Sequence, residues 1–133
     1  MPRILVIEDD QMLRRALRIA LEKLAYEVGE ANDGREALGL FRARPFDLVV
    51  TDIIMPEMEG METIRALRLL SPKLHIIAIS GGGRGSPDNY LHLAKHFGAS
   101  KVFAKPFEIT DLCTTVAEML GENGKPNSPA PTG

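Results

Sequence analysis

The sequence lacks the features by which several classes of protein are recognised. Its 133 residues include no tryptophan and a single cysteine, which excludes an internal disulfide and a cysteine-rich zinc site. No apolar run approaches the ~18 residues that a membrane-spanning helix needs. The first ten residues, MPRILVIEDD, turn acidic too soon for a signal peptide. We therefore expect a cytoplasmic protein that makes no membrane contact.

An excess of charge of either sign is missing as well. Sixteen Lys and Arg residues stand against eighteen Asp and Glu residues, so the formal net charge is −2. This balance argues against a direct nucleic-acid binder that works through a broadly basic surface. Apolar residues make up 44% of the chain and charged residues 26%, as in ordinary globular domains. The length fits one domain with one site.

Short apolar runs alternate along the chain with segments of helical periodicity. The runs Ile4–Ile7, Leu48–Val50 and Ile76–Ile79 are continuous rather than alternating, which is typical of strands buried on both faces of a parallel sheet. Val102–Ala104 is a shorter candidate, and the more polar Glu27–Ala31 suits a sheet edge. The order strand then helix, repeated five times, predicts a doubly wound α/β sandwich with right-handed crossovers.

Five helices are predicted after these strands. The first carries an apolar stripe from Leu13 to Leu24, and the second stops before Pro45. Their expected starting or capping residues, in chain order, are Asp10, Asp33 or Gly34, Gly60, Ser86, and Thr110 or Asp111. Residues 122–133 are rich in Pro, Ser and Gly and carry no large apolar side chain, so they are predicted as a flexible tail or a truncated linker. The folded domain then covers residues 1–121.

Polar residues follow four of the predicted strands at their carboxyl ends, where open α/β sheets hold their sites. Glu8 and Asp9 follow the first strand, Asp52 ends the third, Ser80 follows the fourth and Lys105 the fifth. Two carboxylates ~4 Å apart repel by about 4 kcal/mol at an effective dielectric constant of about 20, so three together call for a cation. Oxygen ligands with no His or Cys nearby favour Mg²⁺ or Mn²⁺. A lysine and a hydroxyl suit phosphoryl oxygens, and an Asp carboxylate can attack phosphorus.

Four motifs carry these residues, and together they resemble a known family. ILVIEDD at Ile4–Asp10, LVVTDIIMPEMEG at Leu48–Gly60, IIAISG at Ile76–Gly81 and FGASKVFAKPF at Phe97–Phe107 have the order and spacing of a receiver domain of bacterial two-component response regulators. The resemblance covers about residues 2–121. It implies a flavodoxin-like (βα)₅ fold with a five-stranded parallel sheet in the order 2-1-3-4-5, as in stand-alone chemotaxis regulators.

The resemblance implies a role for each acidic residue of the site. Asp52 resembles the phosphoacceptor of the family. Glu8 and Asp9 resemble the acidic pair that holds Mg²⁺, with Asp9 as the more direct ligand. The backbone carbonyl of Ile54 is the further ligand that the family implies, so the expected metal site consists of these three carboxylates and one carbonyl oxygen.

The resemblance also implies how the domain switches. Ser80 matches the hydroxyl that binds the phosphoryl group, and Lys105 matches the lysine that pairs with it, followed by a peptide bond to Pro106 that is often cis in the family. Phosphorylation draws both side chains inward and changes the face of the predicted fourth helix, fifth strand and fifth helix. The implied switch positions are Ser80, Gly81, Gly82 and Val102. Val102 departs from the Tyr or Phe of many receivers, which leaves the aromatic part of the switch open.

The implied partners are proteins. The phosphoryl donor is a sensor histidine kinase or a histidine phosphotransfer protein, and a downstream protein binds the switching face, through which a homodimer is also conceivable. The domain is then a signalling module and no enzyme beyond its own phosphorylation and dephosphorylation. Three alternatives stay open: a phosphorylation-independent pseudo-receiver, the receiver part of a longer regulator, and a phosphatase or phosphotransferase. The last usually needs a second Asp where this chain has Ile54.

Overall fold

The chain folds into alternating strands and helices, seen in a computed structural model that describes residues 1–53, 59–80, 95–96 and 98–121. In these residues the strands are β1 (Arg3–Ile7), β2 (Glu27–Ala31), β3 (Leu48–Asp52), β4 (His75–Ser80) and β5 (Lys101–Ala104). The helices there are α1 (Gln11–Glu22), α2 (Gly34–Ala43), α3 (Glu59–Leu70) and the C-terminal helix (Ile109–Met119). None of these helices is long and apolar enough to cross a membrane. Of the predicted fourth helix from Ser86, the structure describes only residues 95–96, which are helical. The predicted tail lies outside the described residues.

The five strands form one parallel sheet in the order β2-β1-β3-β4-β5, as predicted. The weakest candidate, β2, has its predicted bounds and its predicted place at an edge. In the register of the sheet, Asp52 pairs with Ile79 and Ser80 pairs with Ala104. Because all strands run in the same direction, their carboxyl ends meet at one edge, and the polar residues that follow them meet there too.

Two hydrophobic clusters fill the space between the sheet and its helices. Successive residues of one strand enter opposite clusters, since side chains alternate across the pleat. One cluster joins the sheet to α2 and α3 and includes Leu5, Ile7, Phe41, Val49, Ile64, Leu67, Ile76 and Ala78. The other joins the sheet to α1 and the C-terminal helix and includes Ile4, Val6, Leu17, Leu21, Val50, Ile77, Ile79, Leu112 and Val116. The predicted three-layer sandwich, with strands buried on both faces, is therefore confirmed.

Side-chain caps start the two helices that follow β1 and β2. Asp10 Oδ1 accepts the backbone N–H groups of Met12 and Leu13 at 3.0 Å and 3.2 Å. Asp33 Oδ1 accepts the N–H of Glu36 at 2.9 Å. Both caps were predicted from the sequence, and each typically contributes about 1 kcal/mol to stability. They fix where α1 and α2 leave the carboxyl edge of the sheet.

The predicted end of the first helix is wrong. α1 ends at Glu22, so Leu24 lies beyond the helix and is 47% exposed, although the sequence assigned it to the apolar stripe. The chain turns sharply at Ala25, whose φ of 72° lies in the left-handed region. The apolar spacing extends to Leu24, two residues beyond the end of α1. Such spacing shows which positions are apolar, but it does not show where the helical hydrogen bonds stop.

The predicted cap of the last helix is also wrong. The C-terminal helix begins directly after Glu108, which holds the cap position without a side-chain hydrogen bond. Thr110 and Asp111, the expected caps, lie inside the first turn instead. A carboxylate in the first turn interacts favourably with the positive end of the helix dipole, so Asp111 still marks this helix start.

Arg68 connects the end of α3 to the segments on either side of β4. Its Nη1 donates to the carbonyl oxygens of Pro72 and Leu74 at 2.8 Å and 2.6 Å, and its Nη2 donates to that of Gly98 at 2.7 Å. Burial lowers the pKa of this guanidinium, which nevertheless stays charged in water near neutral pH. One side chain thus satisfies three loop carbonyls that no strand or helix pairs.

Candidate functional site

Three carboxylates meet at the carboxyl edge of the sheet. Glu8 and Asp9 follow β1, and Asp52 is the last residue of β3. One oxygen of each lies within 4.8 Å of the oxygens of the other two. Glu8 and Asp52 are buried, with exposed fractions of 1% and 3%, whereas Asp9 is exposed. Negative charge is therefore concentrated in a site that is open to solvent on the side of Asp9.

Lys105 reaches into this cluster from the end of β5. Its Nζ lies 3.0 Å from Asp52 Oδ2 and 3.4 Å from Glu8 Oε1. The backbone N–H of Lys105 donates to the carbonyl of Ser80 at 2.8 Å, and the peptide bond to Pro106 is cis, as the family resemblance implied. Among the described residues, this ammonium group thus pairs with two of the three carboxylates.

The protonation equilibria of Glu8 and Lys105 reflect their burial and their closeness to Asp52. Burial, followed by the charge of Asp52, raises the pKa of Glu8 to about 7. Partial burial alone would lower the pKa of Lys105, but the hydrogen bond to Asp52 and the charges of Asp52 and Glu8 outweigh burial and raise it. The ammonium stays charged, while the buried Glu8 carboxylate is costly to ionise without a further cation. An all-oxygen donor set of this kind fits a hard divalent ion such as Mg²⁺.

The Ser80 hydroxyl is buried at the same edge without a hydrogen bond. Its Oγ has no partner among the residues that the structure describes, and the side chain is fully buried. Buried polar groups are nearly always paired, and leaving one unpaired costs about 1–3 kcal/mol. Ser80 ends β4, the strand next to the one that ends at Asp52. The hydroxyl is therefore available to an acceptor that enters the site.

Gly60 allows α3 to approach the peptide that carries Asp52. A Cβ atom at Gly60 would lie 2.5 Å from the carbonyl oxygen of Asp52 and 2.5 Å from Cα of Ile53. Backbone atoms cannot be approached so closely, so only glycine fits without a shift of the chain. The first turn of α3 therefore packs directly on the backbone of the buried carboxylate.

Comparisons with known proteins agree with this geometry. Residues 4–117 match the family model for the response regulator receiver domain. The chain belongs to this family. The receiver is 38% identical over 120 residues to the response regulator receiver protein CpdR of Brucella abortus, which covers 90% of this chain and 98% of that protein. It is 36% identical to the response regulator MprA of Mycolicibacterium vanbaalenii, over 89% of this chain but only 50% of that longer protein.

A solved structure supports the same assignment. The receiver aligns with the crystal structure of a response regulator receiver domain protein from Clostridium thermocellum at a TM-score of 0.81 and 27% sequence identity. The alignment covers 92% of this chain and 96% of that one. The flavodoxin-like fold inferred from the motifs is therefore confirmed, and the domain is a module of two-component signalling.

The receiver brings together most of the side chains singled out in its sequence. Those that meet at the carboxyl edge are Glu8, Asp9, Asp52, Ser80 and Lys105. Ile54, Gly81 and Gly82 lie outside the described residues, so their roles stay predictions. Val102 is half-buried and packs against the cluster between the sheet and the helices α2 and α3. The next residue of β5 packs against the cluster on the other face of the sheet.

Sequence reasoning missed one arginine of this receiver. Arg14 in α1 donates a hydrogen bond to the backbone carbonyl of Glu8 at 2.8 Å and is only 15% exposed. Its neighbours Arg15 and Arg18 occupy the same helix, and nothing in the local pattern separates the three. The distinction depends on where the end of β1 lies relative to α1, which is a property of the folded chain.

Proposed function

We propose that this receiver accepts a phosphoryl group on Asp52 from a phosphohistidine donor and thereby changes a protein-binding face. The observation that carries the proposal is the pairing of Lys105 Nζ with the buried Asp52 carboxylate at 3.0 Å. At the same edge of the sheet, the hydroxyl of Ser80 has no hydrogen-bond partner among the described residues. In this proposal the only reactions that the domain catalyses are the gain and the loss of that group.

The reaction follows from the groups at the site. A carboxylate oxygen of Asp52 attacks phosphorus while the bond from phosphorus to the donor imidazole nitrogen breaks, and the nitrogen keeps the electron pair. The product is an aspartyl phosphate. Lys105 can then pair with one phosphoryl oxygen, and the hydroxyl of Ser80 can donate a hydrogen bond to another. The phosphoryl group thus supplies the acceptor that the buried hydroxyl lacks.

The proposed ligands of a divalent cation are the carboxylates of Glu8, Asp9 and Asp52. The backbone carbonyl of Ile54, outside the described residues, completes the proposed set. Oxygen donors alone favour Mg²⁺ or Mn²⁺ over zinc. When bound, the ion offsets the charge of the carboxylates and of the phosphoryl oxygens. The raised pKa of Glu8, caused by burial and by Asp52, supports a site whose carboxylates are stabilised by a divalent cation.

The proposed output runs from Ser80 to β5. Because the carbonyl of Ser80 accepts the backbone N–H of Lys105 at 2.8 Å, a movement of Ser80 towards a phosphoryl group acts directly on the end of β5. The proposed docking face for a downstream protein, or for a second receiver, combines the predicted fourth helix, β5 and the C-terminal helix. The proposed donor is a sensor histidine kinase or a histidine phosphotransfer protein. The proposed location is the cytoplasm, which suits the unpaired Cys113.

Phosphorylation by a small donor tests this function. After incubation with acetyl phosphate and Mg²⁺, intact-mass spectrometry should find one added phosphoryl group on the wild type and none on D52N. D111N, which changes an exposed Asp in the C-terminal helix, should gain the group as the wild type does. No uptake by the wild type would favour the phosphorylation-independent module, and turnover of an external phosphoester would favour a phosphatase.

A further inference from the structure

Arg14 joins three segments that surround the acidic site. Its Nη1 donates to the carbonyl oxygen of Glu8 at 2.8 Å and to Oδ1 of Asn32 at 3.0 Å. Its Nε donates to Oε1 of Glu30 at 2.9 Å. One guanidinium in α1 therefore holds the residue after β1, a residue of β2 and the residue after β2. Its planar fork of donors suits several acceptors in fixed directions.

The bond to Glu8 fixes the peptide that leads to Asp9. The N–H of Glu8 donates to the carbonyl of Ala31 at 3.1 Å, so with Arg14 both polar backbone groups of Glu8 are held. A peptide unit is planar, so fixing the Glu8 carbonyl also fixes the direction in which the chain enters Asp9. The N–H of Asp10 donates to Oε2 of Glu8 at 3.1 Å, so the loop of residues 8–10 is closed by a hydrogen bond to the carboxylate of Glu8.

We propose that Arg14 is a positioning residue for the divalent cation and acts through the Glu8 peptide without touching the ion. The inference rests on the proposed function, because it takes Glu8, Asp9 and Asp52 as the ligands. Without Arg14 the buried carbonyl of Glu8 loses its donor, and the peptide that leads to Asp9 is no longer held in a fixed direction. Loss of the hydrogen bonds that orient metal ligands typically weakens metal binding by about 10- to 100-fold.

The charge of Arg14 predicts the opposite effect. A cation beside a cation site repels the ion, so deleting the guanidinium should strengthen metal binding if charge were its only contribution. A positioning role therefore predicts weaker metal binding after Arg14 is deleted, whereas a purely electrostatic role predicts tighter binding. A weaker affinity after the deletion can come only from the lost hydrogen bonds or from a disturbed fold, and stability measurements separate these two.

Arg18 provides a matched control in the same helix. Its Nε lies 2.8 Å from Oε2 of Glu30, the carboxylate that Arg14 also uses. This contact is an ion pair without hydrogen-bond geometry, and the other ion pair of Arg18 is with Glu22 at 3.9 Å. Neither partner belongs to the loop of residues 8–10. Replacing Arg18 removes the same charge from the same helix while leaving the carbonyl of Glu8 with its donor.

The experiment measures Mn²⁺ binding by electron paramagnetic resonance of the free ion, without a phosphoryl donor. We expect R14A to bind Mn²⁺ about 10-fold more weakly than the wild type. R14K should also bind several-fold more weakly, because one ammonium cannot span the three acceptors. R18A should match the wild type or bind slightly more tightly. Thermal unfolding of the metal-free variants, followed by circular dichroism, checks the fold, and R14K carries the comparison if R14A does not fold.

Several results would overturn the inference. They are unchanged or tighter Mn²⁺ binding in both Arg14 variants, or an equal weakening in R14A and R18A. If the wild type binds no Mn²⁺, the proposed metal site itself is wrong and the inference falls with it. If the wild type binds Mn²⁺ and takes up a phosphoryl group while the Arg14 variants bind as it does, the proposed function stands and only the role of Arg14 is rejected.

Discussion

Replacing Lys105 by methionine should destabilise the metal-free receiver and leave the Mg²⁺-bound receiver nearly unaffected. The ammonium lies 3.0 Å from Asp52 Oδ2 and 3.4 Å from Glu8 Oε1. Each such pair attracts by roughly 4 kcal/mol or more at an effective dielectric constant of about 20, before the cost of desolvation. Removing one partner of a buried ion pair typically costs about 3–5 kcal/mol. Because 26% of the Lys105 side chain is exposed, we expect a loss of about 2–3 kcal/mol.

Mg²⁺ should reduce this loss. A ligand that binds only the folded state stabilises it by RT ln(1 + [L]/Kd), and the variant should bind the ion more tightly because Lys105 no longer repels it. The difference in unfolding free energy between the wild type and K105M should therefore narrow to less than about 1 kcal/mol at saturating Mg²⁺. The comparison belongs near pH 8, where Glu8, whose pKa burial and Asp52 raise to about 7, is mostly ionised.

The assay is urea unfolding followed by far-ultraviolet circular dichroism, in EDTA and in saturating Mg²⁺. K101M is the matched control, because Lys101 is an exposed lysine on β5, the strand that Lys105 directly follows. Its stability should stay within about 0.5 kcal/mol of the wild type under both conditions. An equal loss for K105M with and without Mg²⁺, or no loss in EDTA, would refute the reasoning that Lys105 takes over the electrostatic role of a divalent cation.

Two other substitutions test the framework of the site by the same unfolding assay. G60A should lower the unfolding free energy by more than about 2 kcal/mol and slow phosphorylation, because its Cβ would displace the backbone of Asp52. G39A should be neutral or stabilising, because nothing outside its own helix backbone lies within 4 Å of the added Cβ. Similar effects of the two substitutions would contradict this reasoning. R68A should cost about 2–3 kcal/mol, since three carbonyls lose a charged donor, and the exposed R65A on the same helix should cost less than about 0.5 kcal/mol. An R68A variant as stable as R65A would show that water replaces those bonds at no cost.

The layout of the sheet could be predicted because burial on both faces leaves a continuous apolar pattern. Ile4–Ile7 sends successive residues into opposite clusters, so no position in it tolerates a polar side chain. Helix ends were less predictable, as Leu24 and Thr110 illustrate. Such ends depend on a few backbone hydrogen bonds and on one residue, Ala25, in an uncommon conformation, and these leave little trace in the spacing of apolar residues.

The meeting of the site residues could be predicted for a different reason. In a parallel sheet the carboxyl ends of all strands share one edge, so Glu8, Asp52 and Lys105 had to lie near one another once their strands were recognised. Which of them pair was not predictable, because the bridge from Lys105 to two carboxylates depends on side-chain conformations. That the Ser80 hydroxyl has no hydrogen-bond partner among the described residues could not be predicted either, because this depends on the positions of all the polar groups around it in the folded chain.

Lys105 and Arg14 have different tasks next to the acidic edge. The difference explains how the proposed metal site can be rigid and still attract a divalent ion. Lys105 directs its charge at the carboxylates of Glu8 and Asp52, which are proposed as ligands. Arg14 directs its charge at Glu30, which Arg18 shares, and offers the loop only a hydrogen bond to the carbonyl of Glu8. An arginine paired with a ligand carboxylate would hold the loop equally well but would compete with the divalent ion. By bonding to the backbone, Arg14 can fix the ligands without neutralising them.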